Sequence, residues 1–220
     1  MHRRSLLAAL GLAALAPGLA RAAPRVSLTD AFLMLQPYLQ LPPASRDRFS
    51  FAYRAMRRDK PAPDAKATII APDGSKSPLR LDPEGWVIAL PTLEDLKSKA
   101  EFQIDGPDFG FEIEPRAAIA PGPRVAVADL AAALAQLNAA IAKFSEGAGV
   151  APLTCAYFPG AAGAALDAGS AVAKPIPTTS AFKGLGPTFY LEPRRAPAAA
   201  SVTFATPPSR IILARPPAGG

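Results

Sequence analysis

The chain has 220 residues, half of them hydrophobic, a formal charge of +6, one cysteine and one histidine. That length suits one or two small domains with a packed core. The histidine is His2, so once the leader described below is removed no Ser-His-Asp or Cys-His machinery and no His-based zinc site remains. One cysteine makes neither a disulfide nor a thiolate cluster. Proline is abundant, 26 residues, which opposes long helices and favours short strands and turns.

Residues 1–22 read as a secretory signal peptide. Met1-His2-Arg3-Arg4 is the basic start, Leu6 to Leu19 the apolar run, and Ala20-Arg21-Ala22 the small-x-small site, so cleavage is expected between Ala22 and Ala23. Arg3-Arg4-Ser5-Leu6-Leu7 resembles the core of a twin-arginine export signal, with the general secretory route as the alternative. Removing Arg3, Arg4 and Arg21 lowers the charge from +6 to +3, too little to imply nucleic acid. No later apolar stretch is long enough to suggest a membrane span after cleavage.

Ser27-Leu28-Thr29-Asp30 is a variant capping box, and Leu28, Phe32, Leu35 and Leu39 share one face of a short helix that ends or kinks near Pro37. Arg48 to Arg57 alternates, with Phe49, Phe51, Tyr53 and Ala55 on one face of a half-buried strand. Arg57 to Asp64 reads as a charged, proline-bearing connection.

Lys66 to Glu114 is a series of short strands, at Ala67–Ala71, Pro78–Leu81, Trp86–Pro91, Glu101–Asp105 and Phe109–Glu114. They are separated by Asp73-Gly74 and Asp82-Pro83-Glu84-Gly85 turns. Thr92 to Ala100 has room for one helical turn. Pro115 to Arg124 reads as a proline-rich linker or crossover. Val127, Leu130, Leu134, Leu137, Ile141 and Phe144 then form one apolar stripe, and Gly147 and Gly149 supply the stop. Later strands are expected near Leu153–Phe158, Thr188–Leu191, Ala200–Phe204 and Ser209–Ala214. Pro159 to Ala173 is nearly all glycine and alanine, and Pro216 to Gly220 reads as a disordered tail.

Charge is uneven. Arg46 to Lys66 holds seven basic and three acidic residues; Leu81 to Glu114 holds nine acidic and two basic. The boundary between them marks Arg54, Arg57, Arg58, Glu112 and Glu114 as candidate partner-binding residues. Glu112 and Glu114 share a strand face, and paired acids are also the raw material of carboxylate hydrolysis or calcium binding. Their spacing fits neither an EF-hand nor a calcium repeat. Ser180-Ala181-Phe182-Lys183 matches Ser-x-x-Lys, but prolines precede it, glycines follow it and no partner motif exists, so a loop is expected. Gly160-Ala161-Ala162-Gly163 and Gly184-Leu185-Gly186 complete no phosphate-loop pattern. Cys155, between Leu153 and Tyr157, reads as a small buried hydrophobe, and Trp86 as a core or near-core residue.

Gly85-Trp86-Val87-Ile88-Ala89-Leu90-Pro91, with the strand and turn before it, resembles small β-sandwich modules of the transthyretin-like or carboxypeptidase-regulatory type. The resemblance implies a sandwich-like unit and no activity. As a whole the chain resembles uncharacterised exported proteobacterial proteins of this size. The expectation is an α+β fold, mainly antiparallel β and sandwich-like, with one long packed helix and a short N-terminal one. The expected divisions are 1–22 signal peptide, 23–115 β-rich domain with its leading helix, 116–125 linker, 126–215 helix plus β region and 216–220 tail. No catalytic residue, cofactor or metal is assigned. The expected function is that of a soluble, non-enzymatic periplasmic or secreted protein that binds an envelope protein or polymer. The alternatives are a small-ligand-binding or accessory protein with a pocket between helix and sheet, and a hydrolase using carboxylates or a Ser-Lys pair.

Overall fold

The computed structural model describes residues 25–104, 106, 108–145, 150–168, 174–179 and 185–217. The leader with its Ala22-Ala23 site, Asp105, the glycine stop at Gly147 and Gly149, the Ser180–Lys183 motif with Gly184, and the last three residues of the tail lie outside them. The fold is α+β, and the strand ladders among the described residues are antiparallel.

Strand β1 (Arg25–Ser27) leads into α1 (Leu28–Ala31), where the Ser27 hydroxyl accepts the Asp30 N–H at 3.0 Å. Leu28, Phe32 and Leu35 are buried, as their spacing demands. The helix breaks before Pro37: Met34 takes φ 70° and α2 (Leu35–Gln40) restarts behind it. In a continuous helix Pro37 would lack the N–H owed to the Leu33 carbonyl and its ring would clash there. The earlier break puts Pro37 in the first turn of α2, where N–H groups have no helical partner to lose. The freed Leu33 carbonyl accepts the Tyr53 hydroxyl at 2.5 Å.

Strand β2 (Phe49–Arg57) buries Phe49, Phe51, Tyr53 and Ala55 in strict alternation. The charged connection after it is more ordered than its composition suggests. Arg58 and Asp59, at φ 50° and 61°, form a two-residue turn into β3 (Lys60–Pro61). Positive φ at both central residues matches the twist of the flanking strands. β4 (Ala67–Ile70) and β5 (Lys76–Pro78) follow. The strand read at Trp86–Pro91 is not a ladder: it makes isolated bridges only, Trp86 to Arg54 and Val87 to Leu81. Gly85, at φ 88°, turns the chain against the β2 edge, where its carbonyl accepts the Ala55 N–H and Val87 donates to Tyr53, both at 2.8 Å. Pro91, with no N–H to donate, closes the segment.

Helix α3 (Leu93–Lys97) has a reciprocal capping box between Thr92 and Asp95. β6 (Glu101–Ile104), β7 (Phe109–Ala117) and β8 (Arg124–Ala126) precede α4 (Val127–Phe144). The segment 116–125, read as a linker, therefore holds the end of β7 and the start of β8. α4 is apolar and long enough to cross a membrane by length and composition, and here it buries Val127, Leu130, Ala133, Leu134, Leu137 and Ala140. The remaining strands are β9 (Cys155–Phe158), β10 (Ala165–Asp167), β11 (Lys174–Pro175), β12 (Thr178–Thr179), β13 (Thr188–Leu191), β14 (Ser201–Thr203) and β15 (Ile212–Ala214). β10 rises from the glycine-alanine stretch because it pairs with β14 and β11.

Among the described residues the strands form three sheets, ordered β1-β6-β4-β5, β11-β10-β14-β8 and β12-β13-β9-β15-β7-β2-β3. β15 lies between β7 and β9, so the seven-stranded sheet draws strands from both sides of residues 116–125. Its inner face packs into one core with α1, α2, α4 and the other sheets.

Candidate functional site: a cleft along strand β7

Strand β7 has two unlike faces. The register Phe111–Ala55 and Ile113–Tyr53 turns Phe109, Phe111 and Ile113 inward, and Arg54–Glu112 and Ala52–Glu114 turn the acids outward. The inward rings are pinned by fully buried neighbours. Phe111 lies 4.7 Å from Phe32 and 5.7 Å from Phe102, centroid to centroid, and Phe109 lies 6.0 Å from Phe102. Yet Phe109, Phe111 and Ile113 are only half-buried, because nothing in the described chain covers this end of the strand completely.

Two concavities meet there. One, of about 340 Å³, is apolar and lies between α1, β1, β6 and β7, walled by Val26, Ala31, Leu33, Phe102, Ile104 and Ile113, with Asp30 at its rim. The other, of about 870 Å³, is wider and charged, walled by Met56, Arg58, Asp59, Asp108 and Glu112. Phe109, Gly110 and Phe111 line both. Gly110 has no side chain, and a Cβ placed there would meet nothing within 4 Å. At the rim Leu33 is 59% exposed and Val26 38% exposed.

The five residues at the charge boundary divide between this cleft and the scaffold. Arg58 and Glu112 line the wider concavity. Arg58 is tied to Asp108 by its own N–H to the Asp108 carbonyl at 3.2 Å and by its Nε to the carboxylate at 2.9 Å. Arg57 lies 4.0 Å from Asp64. Arg54 points the other way: its Nε donates to the Glu84 carbonyl at 2.8 Å and its guanidinium carbon lies 5.2 Å from the Trp86 ring centroid.

Glu114 belongs to a buried cluster around that ring. It accepts Arg116 Nε at 2.6 Å and Arg210 Nε and Nη2 at 2.9 and 3.3 Å. The guanidinium carbons of Arg116 and Arg210 lie 4.2 and 5.4 Å from the Trp86 centroid. The Trp86 indole N–H donates to the Glu84 carboxylate at 3.2 Å, and the Asp82 carboxylate accepts the Glu84 and Trp86 N–H groups at 2.8 Å each. Trp86, 7% exposed, is thus capped by arginines and offers no open face to a ligand. The cluster clamps the Asp82–Gly85 turn onto the sheet.

Glu112 and Glu114 therefore do not act as a pair; the first is exposed and the second is saturated by two guanidiniums. Among the described residues no group of His, Cys, Asp and Glu is arranged to hold a metal ion. Burial pushes the Cys155 thiol up, away from the reactive thiolate, and pushes the phenols of Tyr53 and Tyr157 up as well. What the cleft can do is bind, with an apolar wall and a charged rim.

Charge contrast alone pointed to Arg58 and Glu112 and missed Val26, Leu33, Phe109 and Phe111. One signal was present: Leu33 lies off the Leu28–Phe32–Leu35–Leu39 stripe, so the core had no use for it. Arg210 carried no signal, since its partner Glu114 is 96 positions away, whereas Arg116 stands two residues from Glu114 on the same strand face. No family model, no curated protein and no solved structure matches the chain.

Proposed function

We propose that the protein is an exported, non-enzymatic binding protein of the cell envelope, periplasmic or secreted, and that it holds a segment of another protein in the cleft along β7. The observation that carries this reading is the shared wall Phe109–Gly110–Phe111, which lets one ligand touch the apolar and the charged concavity together. Export rests on the leader read at residues 1–22. An envelope polysaccharide would bring hydroxyl and anionic groups to an apolar wall flanked by acids, a poorer match. A small apolar ligand is the second reading, favoured by the position of the 340 Å³ part between α1 and the sheet.

The test is site-specific photo-crosslinking in the source cell. A photoreactive amino acid at Leu33, in the cleft, should give a discrete protein adduct. The same probe at Ile88, an apolar residue 58% exposed outside the cleft, should not. Equal adducts at both positions, or none at Leu33, would overturn the proposal. Mass spectrometry of solvent extracts of the purified protein decides the small-ligand reading.

A further inference from the structure

We infer that the cleft selects a basic segment: a peptide that seats a large apolar side chain against Leu33 and Phe111 and carries lysine or arginine beside it. The inference deepens the cleft reading above and rests on it.

The protein as a whole is basic, at +6, and stays basic at +3 without the leader arginines. The cleft is the reverse. Asp30 stands at the rim of its apolar part, and Asp59 and Glu112 line the wider part. Among the described residues none of these three carboxylates has an ion pair. Each is left over for a visible reason. Glu112 faces Arg54 across the ladder, but Arg54 is turned to the Glu84 carbonyl and the Trp86 ring. Arg58, next to Asp59, is held by Asp108 through both its backbone and its side chain. Asp30 uses its N–H in the Ser27 cap, and its carboxylate stays in solvent.

Unneutralised carboxylates lining the wider concavity and bordering the apolar one put a negative potential along the cleft, even on a basic protein. A cationic segment gains from that field and an acidic one is repelled, while the apolar side chain supplies most of the affinity. Exposed pairs are individually weak, so the discrimination comes from the three together, roughly tenfold between oppositely charged ligands.

The experiment measures fluorescence anisotropy of two labelled peptides titrated with the purified protein. One peptide alternates lysine with leucine and phenylalanine; its twin carries glutamate at every lysine. The lysine peptide should bind at least roughly tenfold more tightly, with a preference that shrinks as salt rises. The triple variant Asp30→Asn, Asp59→Asn, Glu112→Gln should bind the two alike. All three residues are exposed, so the fold should tolerate the changes. Leu33→Ser should weaken both peptides in either background. Equal binding of the twins, lost in Leu33→Ser, overturns the basic-partner inference and leaves the cleft reading standing. A preference that survives in the triple variant overturns the inference too, since the charges responsible then lie elsewhere. If neither peptide binds, both readings fall.

Discussion

Replacing Glu114 by alanine should cost the fold about 3 kcal/mol, whereas Glu112→Ala, two residues away on the same strand face, should cost less than about 0.5 kcal/mol. The Glu114 side chain is 9% exposed and holds Arg116 at 2.6 Å and Arg210 at 2.9 Å, whose side chains are 26% and 15% exposed. Removing one partner of a buried pair costs about 3–5 kcal/mol. Partial rehydration of the two guanidiniums, which keep some exposure, lowers that toward the bottom of the range. Arg116 has little slack, because its Nη2 is already shielded without a hydrogen-bond partner. Urea unfolding followed by the fluorescence of Trp86, the only tryptophan, is the natural assay. With m near 2 kcal/mol/M, a loss of about 3 kcal/mol moves the midpoint by roughly 1.5 M. The same loss lowers Tm by roughly 6–12 °C. In an Arg210→Ala background Glu114→Ala should cost clearly less, because the pair is already broken. Equal midpoints for Glu114→Ala and Glu112→Ala would refute the division of β7 into a clamped scaffold acid and a free cleft acid.

Alkaline pH should destabilise the protein through its buried phenols. Burial raises Tyr53 and Tyr157 above the ordinary tyrosine value of about 10. The native phenols stay protonated where the unfolded ones ionise, so the unfolded state binds fewer protons. Stability is then complete below about pH 10 and falls as pH rises toward the native pKa values, by up to about 1.4 kcal/mol per pH unit per phenol. Denaturation midpoints that stay flat between about pH 10 and 11 would refute this, and Tyr53→Phe should flatten the slope. Gly163→Ala should cost about 1–3 kcal/mol, because Gly163 sits at φ 59° and a Cβ there would lie 2.7 Å from the Ala205 Cβ. Adding Ala205→Gly should recover the steric part and leave the backbone part; a single variant as stable as the parent would show that this glycine-alanine stretch has no fixed conformation.

The elements legible in the sequence are those whose two faces meet different environments. β2 reads at once, since Phe49, Phe51 and Tyr53 enter the core while Ser50, Ala52 and Arg54 do not. α4 reads by the spacing of Leu130, Leu134 and Leu137. Elements set by distant partners do not read. Ala165-Leu166-Asp167 has no pattern of its own and becomes a strand because Ser201–Thr203 lies beside it. Trp86–Pro91 has an apolar pattern but makes only isolated bridges, one to the β2 edge and one back to Leu81, before the chain leaves. Pro37 correctly announced a broken helix, but the break fell at Met34, where Tyr53 takes the carbonyl that the break frees. The cleft shows the same split, with Arg58 and Glu112 visible as charge contrast and the apolar wall hidden until β6 and β7 meet α1.

The charge boundary itself has a physical outcome that separates scaffold from site. The acidic half meets the basic half because β2 pairs with β7 along nine residues, and part of the contrast is used in the fold, with further partners drawn from outside the two segments. Arg54 is held by the Glu84 carbonyl, Arg58 by Asp108, and Glu114 by Arg116 and Arg210. Stability demands a partner for Glu114, since a buried unpaired carboxylate would cost several kcal/mol. It makes no such demand of Glu112, Asp59 or Asp30, where an exposed ion pair would add only about 0–1 kcal/mol. An energetic account of the fold therefore explains why Glu114 is paired and is indifferent to exposed acids that are not, Glu94 as much as Asp30, Asp59 and Glu112. Asp30 borders the apolar concavity, Asp59 and Glu112 line the wider one that shares Phe109–Phe111 with it, and a binding role gives that placement a use that folding does not.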